Sequence, residues 1–196
     1  MSQPKLILAS TSSHRAKLLQ QYHLEFSQEA PEVEEDLRAS EAPAERATRL
    51  AQLKCASVAR RFPDACVIGS DQVGVCSGEL LHKPGNFDRA LAQLQRCQGQ
   101  TATFHTAVSV WNPQRQTYYG ESVPTTLNFR TLEAARLAAY LRHDEPYDCA
   151  GAFKAEATGL VLFDAVSSDD PTALVGLPMM AVLRLLARSQ ITPDWF

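Results

Sequence analysis

The sequence predicts an α/β protein built on one mixed, elongated β-sheet flanked by helices, and three observations carry that prediction. Apolar runs at Lys5–Ser10 and Cys66–Ser70 neighbour stretches whose apolar residues recur three and four apart, the pattern of strands alternating with helices. Ala102–Trp111 and Tyr118–Phe129 alternate around a polar turn at Asn112-Pro113, which reads as a long antiparallel pair. No repeat or low-complexity linker divides the 196 residues, so residues 1–196 are expected to form a single domain, with two lobes around a cleft as a variant of it.

In order, Lys5–Ser10 reads as a buried strand, and the hydroxyl cluster after it opens a helix through Arg15-Ala16-Lys17-Leu18-Leu19. Leu24–Ser27 suggests a short strand, and Glu29–Pro43 is a polar, acidic connection with two prolines. Ala47, Leu50, Ala51 and Val58 mark one face of a helix over Ala44–Arg61. Cys66–Ser70 is a buried strand expected to end just before Asp71, and Val73–Leu81 a hairpin turning at Ser77-Gly78. Phe87–Cys97, Leu132–Arg142 and Met179–Ser189 are expected helices, and Gly159–Phe163 an expected strand.

Composition excludes several classes. Lys plus Arg number 19 against 22 Asp plus Glu, a net charge of −3 with no basic block, so no binding to a nucleic acid is expected. The apolar run Leu6–Ala9 is too short for a signal peptide, and nothing approaches the roughly 18 apolar residues of a membrane span, so a soluble cytoplasmic protein is expected. The five cysteines show no CxxC spacing and are odd in number, which suits reduced core thiols better than a disulfide framework.

Chemistry concentrates in a few places. Ser10, Thr11, Ser12, Ser13, His14 and Arg15 sit where a strand gives way to a helix, so hydroxyls and unpaired N–H groups would converge as at a phosphate site; a serine-rich helix cap has the same composition. Lys54 falls on the apolar stripe of its helix, where an ammonium either meets an anion or reaches solvent along its stem. Asp71, directly after an apolar strand, is either a turn former or a carboxylate at the strand end where α/β sheets place ligands. Glu32-Val33-Glu34-Glu35-Asp36 is a solvated acidic loop unless it approaches Asp71, where the carboxylates would repel unless a divalent cation lay between them. Lys83, before Pro84, adds another cation. The set suits hydrolysis of a phosphoanhydride. No GxxxxGK[ST], GxSxG or HExxH occurs, and Val73 stands where an aspartyl-phosphate mechanism of the haloacid-dehalogenase type needs a second aspartate.

With these residues assembled, the chain resembles the Maf family of nucleotide pyrophosphatases almost end to end. The matching segments are LILASTSSHRAKLL (6–19), PEVEED (31–36), LAQLKCAS (50–57), VIGSDQV (67–73), HKP (82–84), FHTAVSV (104–110), CAGAFKAE (149–156) and LVGLP (174–178). The resemblance implies a Maf and inosine-triphosphatase-like fold, often dimeric, whose partner is a nucleoside triphosphate cleaved between its α and β phosphates. It implies Asp71 as proton acceptor and Glu35 as an acidic metal-associated position; from these, Mg²⁺ or Mn²⁺ held by Glu35 and Asp71 is expected. Ser10, Arg15, Lys54 and Lys83 match positions that hold the triphosphate. Ser13 replaces a usual proline and Ala16 a frequent basic residue.

Base preference in the family follows the positions matched here by His14, Gln72 and Glu156. Gly151-Ala152-Phe153-Lys154-Ala155-Glu156 departs from the GAYxxQG stretch of the dTTP/UTP branch and resembles the branch acting on 7-methyl-GTP. A carboxylate suits that base, which is cationic at N7 and keeps its N1–H and amine donors. Many members of that branch have tryptophan where this chain has His14, whose ring would have to be neutral beside a cationic base. Two alternatives stand beside it: a dTTP/UTP or broader noncanonical-nucleotide pyrophosphatase, against which Glu156 weighs, and a nucleotide-binding regulator of septum formation, against which the intact Asp71, Lys54 and Lys83 weigh.

Overall fold

The computed structural model describes residues 4–191. In chain order it contains β1 (Leu6–Ala9), α1 (Ser13–Gln21), β2 (Ser27–Glu29), α2 (Pro43–Arg61), β3 (Cys66–Cys76), β4 (Glu79–Leu81), α3 (Phe87–Cys97), β5 (Thr101–Asn112), β6 (Thr117–Phe129), α4 (Ala134–Asp144), β7 (Phe163–Ser168) and α5 (Met179–Arg188), with 3₁₀ turns at Thr158–Leu162 and Ala173–Val175. The sheet order is β2-β1-β3-β5-β6-β7, and β4 pairs with β3 off this path. β1 runs parallel to β2 and β3, whereas β3–β4 and β6–β7 are antiparallel, so the sheet is mixed as the sequence predicts.

The chain forms two compact units. The first comprises the chain up to Gln72, Thr106–Val123 and the chain from Asp170 onward; the second comprises Val73–His105 and Pro124–Asp169. In the first unit β1 is apolar at every position because both of its faces are covered. Leu6 and Leu8 join a core with Leu19 of α1 and Val182 and Leu185 of α5, and Ile7 and Ala9 join another with Cys55 and Val58 of α2. The same alternation along β3 sends Cys66 and Ile68 to the α1 and α5 side and Val67 to the α2 side. In the second unit Phe153 and Phe163 meet edge to face, with centroids 4.9 Å apart, and Phe104 and Phe129 complete a ring cluster.

Three expected elements are corrected. β3 does not stop before Asp71 but runs to Cys76, placing Asp71 inside the strand. What stops is its neighbour: the β1–β3 ladder ends at the Ala9–Gly69 pair. Gly159–Phe163 is not a strand, because the Gly159 N–H turns back to the Lys154 carbonyl at 3.1 Å and a 3₁₀ turn carries the apolar run. The strand follows as β7, with Asp164–Ser167 exposed or nearly so. It is an edge strand held by its ladder with β6, not by a buried face, so it leaves little hydrophobic signal. Leu24 joins the core with α1, and the polar Ser27–Glu29 supplies the ladder expected over Leu24–Ser27.

All five cysteines are free thiols: Cys55, Cys66, Cys76 and Cys97 are buried, as expected of core thiols, and burial pushes Cys55 up to about 12, whereas Cys149 is only partly buried and lies outside the core. Among the described residues no helix is long and apolar enough to cross a membrane.

Gly69 is where α2 presses on β3. A Cβ there would lie 2.4 Å from the Ala51 carbonyl oxygen and 2.5 Å from the Cys55 nitrogen, both backbone atoms that cannot rotate away. Gly69→Ala is expected to cost about 1–3 kcal/mol or more by overpacking, read as a lower urea midpoint at unchanged slope.

Candidate active site

The hydroxyl turn after β1 is both a helix cap and a cradle for Arg15. Ser12 is the N-cap of α1, its side chain accepting from the Arg15 N–H at 3.4 Å. Buried Ser10 accepts from the Ser12 N–H at 3.1 Å and from Arg15 Nη1 at 3.3 Å. Arg15 Nε donates to the Gly176 carbonyl at 2.8 Å. Burial draws the Arg15 guanidinium below its ordinary range, while the negative charges of Asp71 and Glu35 pull it back up. Arginine stays charged against such a shift, so the turn presents a fixed cation among hydroxyls.

Lys54 meets the anion its position demands, and in fact meets two. Its Nζ lies 2.6 Å from Asp71 Oδ1 and 2.7 Å from Glu35 Oε1, so both carboxylates converge on one nitrogen. They stand in different surroundings: the Asp71 side chain is 9% exposed and that of Glu35 51%. Burial raises the Asp71 carboxyl above the ordinary carboxylate range; Lys54 and Arg15 oppose that rise and Glu35 adds to it. Two oxygen donors from separate elements, converging where an ammonium now sits, are a hard donor set that fits Mg²⁺ or Mn²⁺.

Gln72 and Ser70 lie on the opposite face of β3 from Asp71. The Gln72 amide nitrogen is 3.0 Å from Thr106 Oγ1, 3.0 Å from the Ala173 carbonyl and 3.1 Å from that of Leu174. Its donors therefore serve Thr106 and the 173–174 carbonyls. Ser70 Oγ is 2.9 Å from the carbonyls of both Ala107 and Gly176, and its one proton serves one at a time. His14 is half-buried in the first turn of α1.

Lys83 and Glu156 belong to the second unit, and both are exposed. Buried Gln93 grips the main chain before Lys83, accepting from the His82 N–H at 3.1 Å and donating to its carbonyl at 3.0 Å. The Gly151 N–H also reaches the His82 carbonyl, at 3.3 Å. Phe153 anchors the stretch leading to Glu156 in the ring cluster, and Lys154 Nζ donates to the Asp144 carbonyl at 2.6 Å.

Ser10, Arg15, Glu35, Lys54 and Asp71 are thus brought together in the first unit. Sequence reasoning missed Ser70, Thr106, Gln28 and Gln93, whose side chains act on main-chain groups, and Gly176, whose own carbonyl holds Arg15. Gln28, for example, donates to the Ser10 carbonyl at 3.0 Å. The glycine of LVGLP was the one available signal: Gly176 has φ +110°, a conformation other residues rarely adopt.

Fold and site together define an α/β protein whose first unit carries a guanidinium among hydroxyls and an ammonium bracketed by carboxylates, equipment for an anion and its counter-cation. The chain belongs to the Maf family: the family model described as Maf-like protein matches residues 5–189. A relative from Xanthomonas axonopodis pv. citri named 7-methyl-GTP pyrophosphatase is 50% identical over 186 residues, covering 95% of this chain and 97% of that protein. Relatives with the same name from Aromatoleum aromaticum, 47% identical over 95% of this chain and 96% of that protein, and Bordetella pertussis, 45% identical over 97% and 94%, are similar along nearly their whole length. Among solved structures, a HAM1 protein from Coxiella burnetii shares 13% identity at a TM-score of 0.40, covering 64% of this chain and 73% of that one.

A Cβ at Gly176 would sit 3.4 Å from Arg15 Nε, in a backbone conformation that strains any side chain. Gly176→Ala is expected to cost about 1–3 kcal/mol of stability and, by displacing the carbonyl that holds Arg15, to weaken pyrophosphate binding severalfold by calorimetry. Unchanged binding would detach Arg15 from the anion role.

Proposed function

We propose that this chain hydrolyses 7-methyl-GTP to 7-methyl-GMP and pyrophosphate, with a divalent cation held by Glu35 and Asp71 and with Asp71 as general base. The observation that carries the mechanism is the buried Asp71 carboxylate drawn onto Lys54 beside Glu35. It is a hydrolase of a phosphoanhydride bond, in line with the names of its relatives. Their shared name and the acid at position 156 support the methylated guanine as base.

When bound, the cation supplies Lewis-acid neutralisation of the phosphate oxygens. Asp71 takes a proton from the attacking water. As the water oxygen bonds to phosphorus, the bond linking the α and β phosphates breaks, and its electron pair leaves on pyrophosphate. A carboxyl raised toward the working pH is a better base than an ordinary one, provided it starts ionised, and Lys54 and Arg15 favour that ionised form. Arg15, Ser10 and Lys54 hold phosphate oxygens as charge accumulates on them. Lys83 and Glu156 carry the roles their family positions imply, a phosphate contact and the acceptor for N1–H and the exocyclic amine. His14 and Gln72 complete the positions that follow base preference.

Purified protein with Mg²⁺, offered 7-methyl-GTP, GTP, dTTP, UTP and ITP, is expected to release pyrophosphate, not orthophosphate, and mainly from 7-methyl-GTP. Preferred cleavage of dTTP or UTP would overturn the base assignment, and no release from any nucleotide would favour a binding protein.

Asp71→Asn is expected to lower kcat about 10²- to 10⁴-fold. The stability sign runs the other way. A carboxyl whose folded pKa is raised contributes stability below its unfolded pKa and loses it as pH rises through the folded one. Because Asn also leaves Lys54 and Arg15 with one countercharge fewer, the shift is read in the slope: the parent's melting temperature should fall relative to the variant's as pH rises from the unfolded through the folded pKa of Asp71. Near-normal turnover of the variant would remove Asp71 from the base role.

A further inference from the structure

The connection from β2 to α2 has no ladder of its own, yet it lies along one side of α2 in a fixed register. Ala30 accepts from Arg61 Nη2 at 2.9 Å, and the Glu32 N–H donates to Ser57 Oγ at 2.8 Å. The Glu35 side chain meets Lys54 at 2.7 Å. One step further, Arg46 Nη2 donates to the Glu35 carbonyl at 3.1 Å, and Arg46 Nη1 and Arg49 Nη2 donate to the Asp36 carbonyl at 3.3 and 3.1 Å. Arg49 is itself steadied by Glu41, through Nε at 2.5 Å and Nη2 at 2.7 Å. Chain numbers rise along the connection as they fall along the helix, and the helix positions used (61, 57, 54, 49 and 46) lie on one side of it.

Magnitudes decide what holds Glu35. Its side chain is 51% exposed, and an ion pair that open to water is worth about 0–1 kcal/mol, too little to order a long carboxylate alone. Three guanidinium-to-carbonyl bonds, themselves at the surface, act in addition on the main chain just after the Glu35 Cα, at the Glu35 and Asp36 carbonyls, and together restrict the backbone that carries the carboxylate.

We propose that Arg46 and Arg49 are positioning residues for the reaction: by gripping the Glu35 and Asp36 carbonyls they hold the Glu35 carboxylate opposite Asp71, where the cation is taken up. This rests on the reading of Glu35 above. Arg46 and Arg49 act on main-chain carbonyls, so their positioning effect passes through Glu35; the Arg49 charge also reaches Asp71, which makes Arg46 the cleaner of the two tests.

The test uses Arg46→Met, Arg49→Met and Arg46→Lys, each in the parent and in a Glu35→Gln background. The readouts are kcat and KM for 7-methyl-GTP, Mn²⁺ binding to the nucleotide-free protein by electron paramagnetic resonance, and the melting temperature. Each methionine variant is expected to lower kcat and Mn²⁺ affinity about tenfold with KM changing less. Arg46→Lys, which keeps the charge but lacks the planar fork whose two nitrogens each reach one carbonyl, should fall between. In the Glu35→Gln background the same changes should cost nothing further. The proposal is overturned if Glu35→Gln is crippled while the arginine variants keep parental kcat and Mn²⁺ affinity, or if the two losses multiply. Near-parental activity of Glu35→Gln would instead overturn the reading of Glu35 and this inference with it. Should a methionine variant fail to fold, Arg46→Lys still decides by the same comparison.

Discussion

The site depends on α2 lying close enough to β3 for the Lys54 ammonium to reach the Asp71 carboxylate. That approach is possible because the strand carries no side chain at Gly69, where the Ala51 carbonyl and Cys55 backbone occupy the space of a Cβ. The 2.6 Å contact does not exist to stabilise the fold, since burying a charge pair often costs as much as it returns. Burial raises the Asp71 carboxyl even with two cations nearby, so the fold keeps a carboxylate whose charged form its surroundings disfavour, the pattern expected of the base proposed here.

The alternation of β3 distributes the rest of the site from the four residues Gly69-Ser70-Asp71-Gln72. Gly69 and Asp71 face α2, one admitting the helix and the other meeting its lysine. Ser70 and Gln72 face the opposite side and secure the 173–176 segment, whose Gly176 carbonyl in turn holds Arg15. β1 follows the same parity, so Ser10, beyond the last β1–β3 pair, comes out on the side of Arg15. A one-residue slip of this register would exchange the two sets, so the core pattern of Leu6, Leu8 and Ile68 also fixes the chemistry.

Residues whose side chains meet other side chains were the legible part. Lys54 could be picked out because a cation on an apolar stripe needs an explanation, and the structure supplies two carboxylates. Asp71 was picked out partly for a wrong reason: it sits within a strand, and it was the neighbouring β1 that ended. Ser70, Gln93 and Gly176 were missed because they act through main-chain donors and acceptors, which every residue carries and no composition betrays. The same holds for α5, whose first turn is capped from a distance. Buried Asp170 accepts from the Met180 N–H at 2.7 Å, and Thr172 Oγ1 accepts from that of Met179 at 2.7 Å. Phe153 was read only as a departure from a tyrosine-containing stretch, and is in fact the ring that ties that stretch to its core.

The contrast between the two carboxylates fits the proposed division of roles between them. Asp71, on a strand and 9% exposed, cannot change position without disturbing the sheet, and its proton affinity is set by its surroundings; this is what a base needs. Glu35, on a connection without secondary structure and 51% exposed, can exchange an ammonium for another cation at little desolvation cost; this is what a metal ligand that binds and releases needs. A connection left to itself would sample many arrangements, and ordering it costs on the order of 1–2 kcal/mol per residue. Contacts from α2 at Arg61, Ser57, Lys54, Arg49 and Arg46 spread that cost along a helix already held by its own core face. The helix that brings the lysine to the buried carboxylate is therefore the one that carries the exposed carboxylate to the same point, and the two halves of the charge cluster cannot be positioned independently.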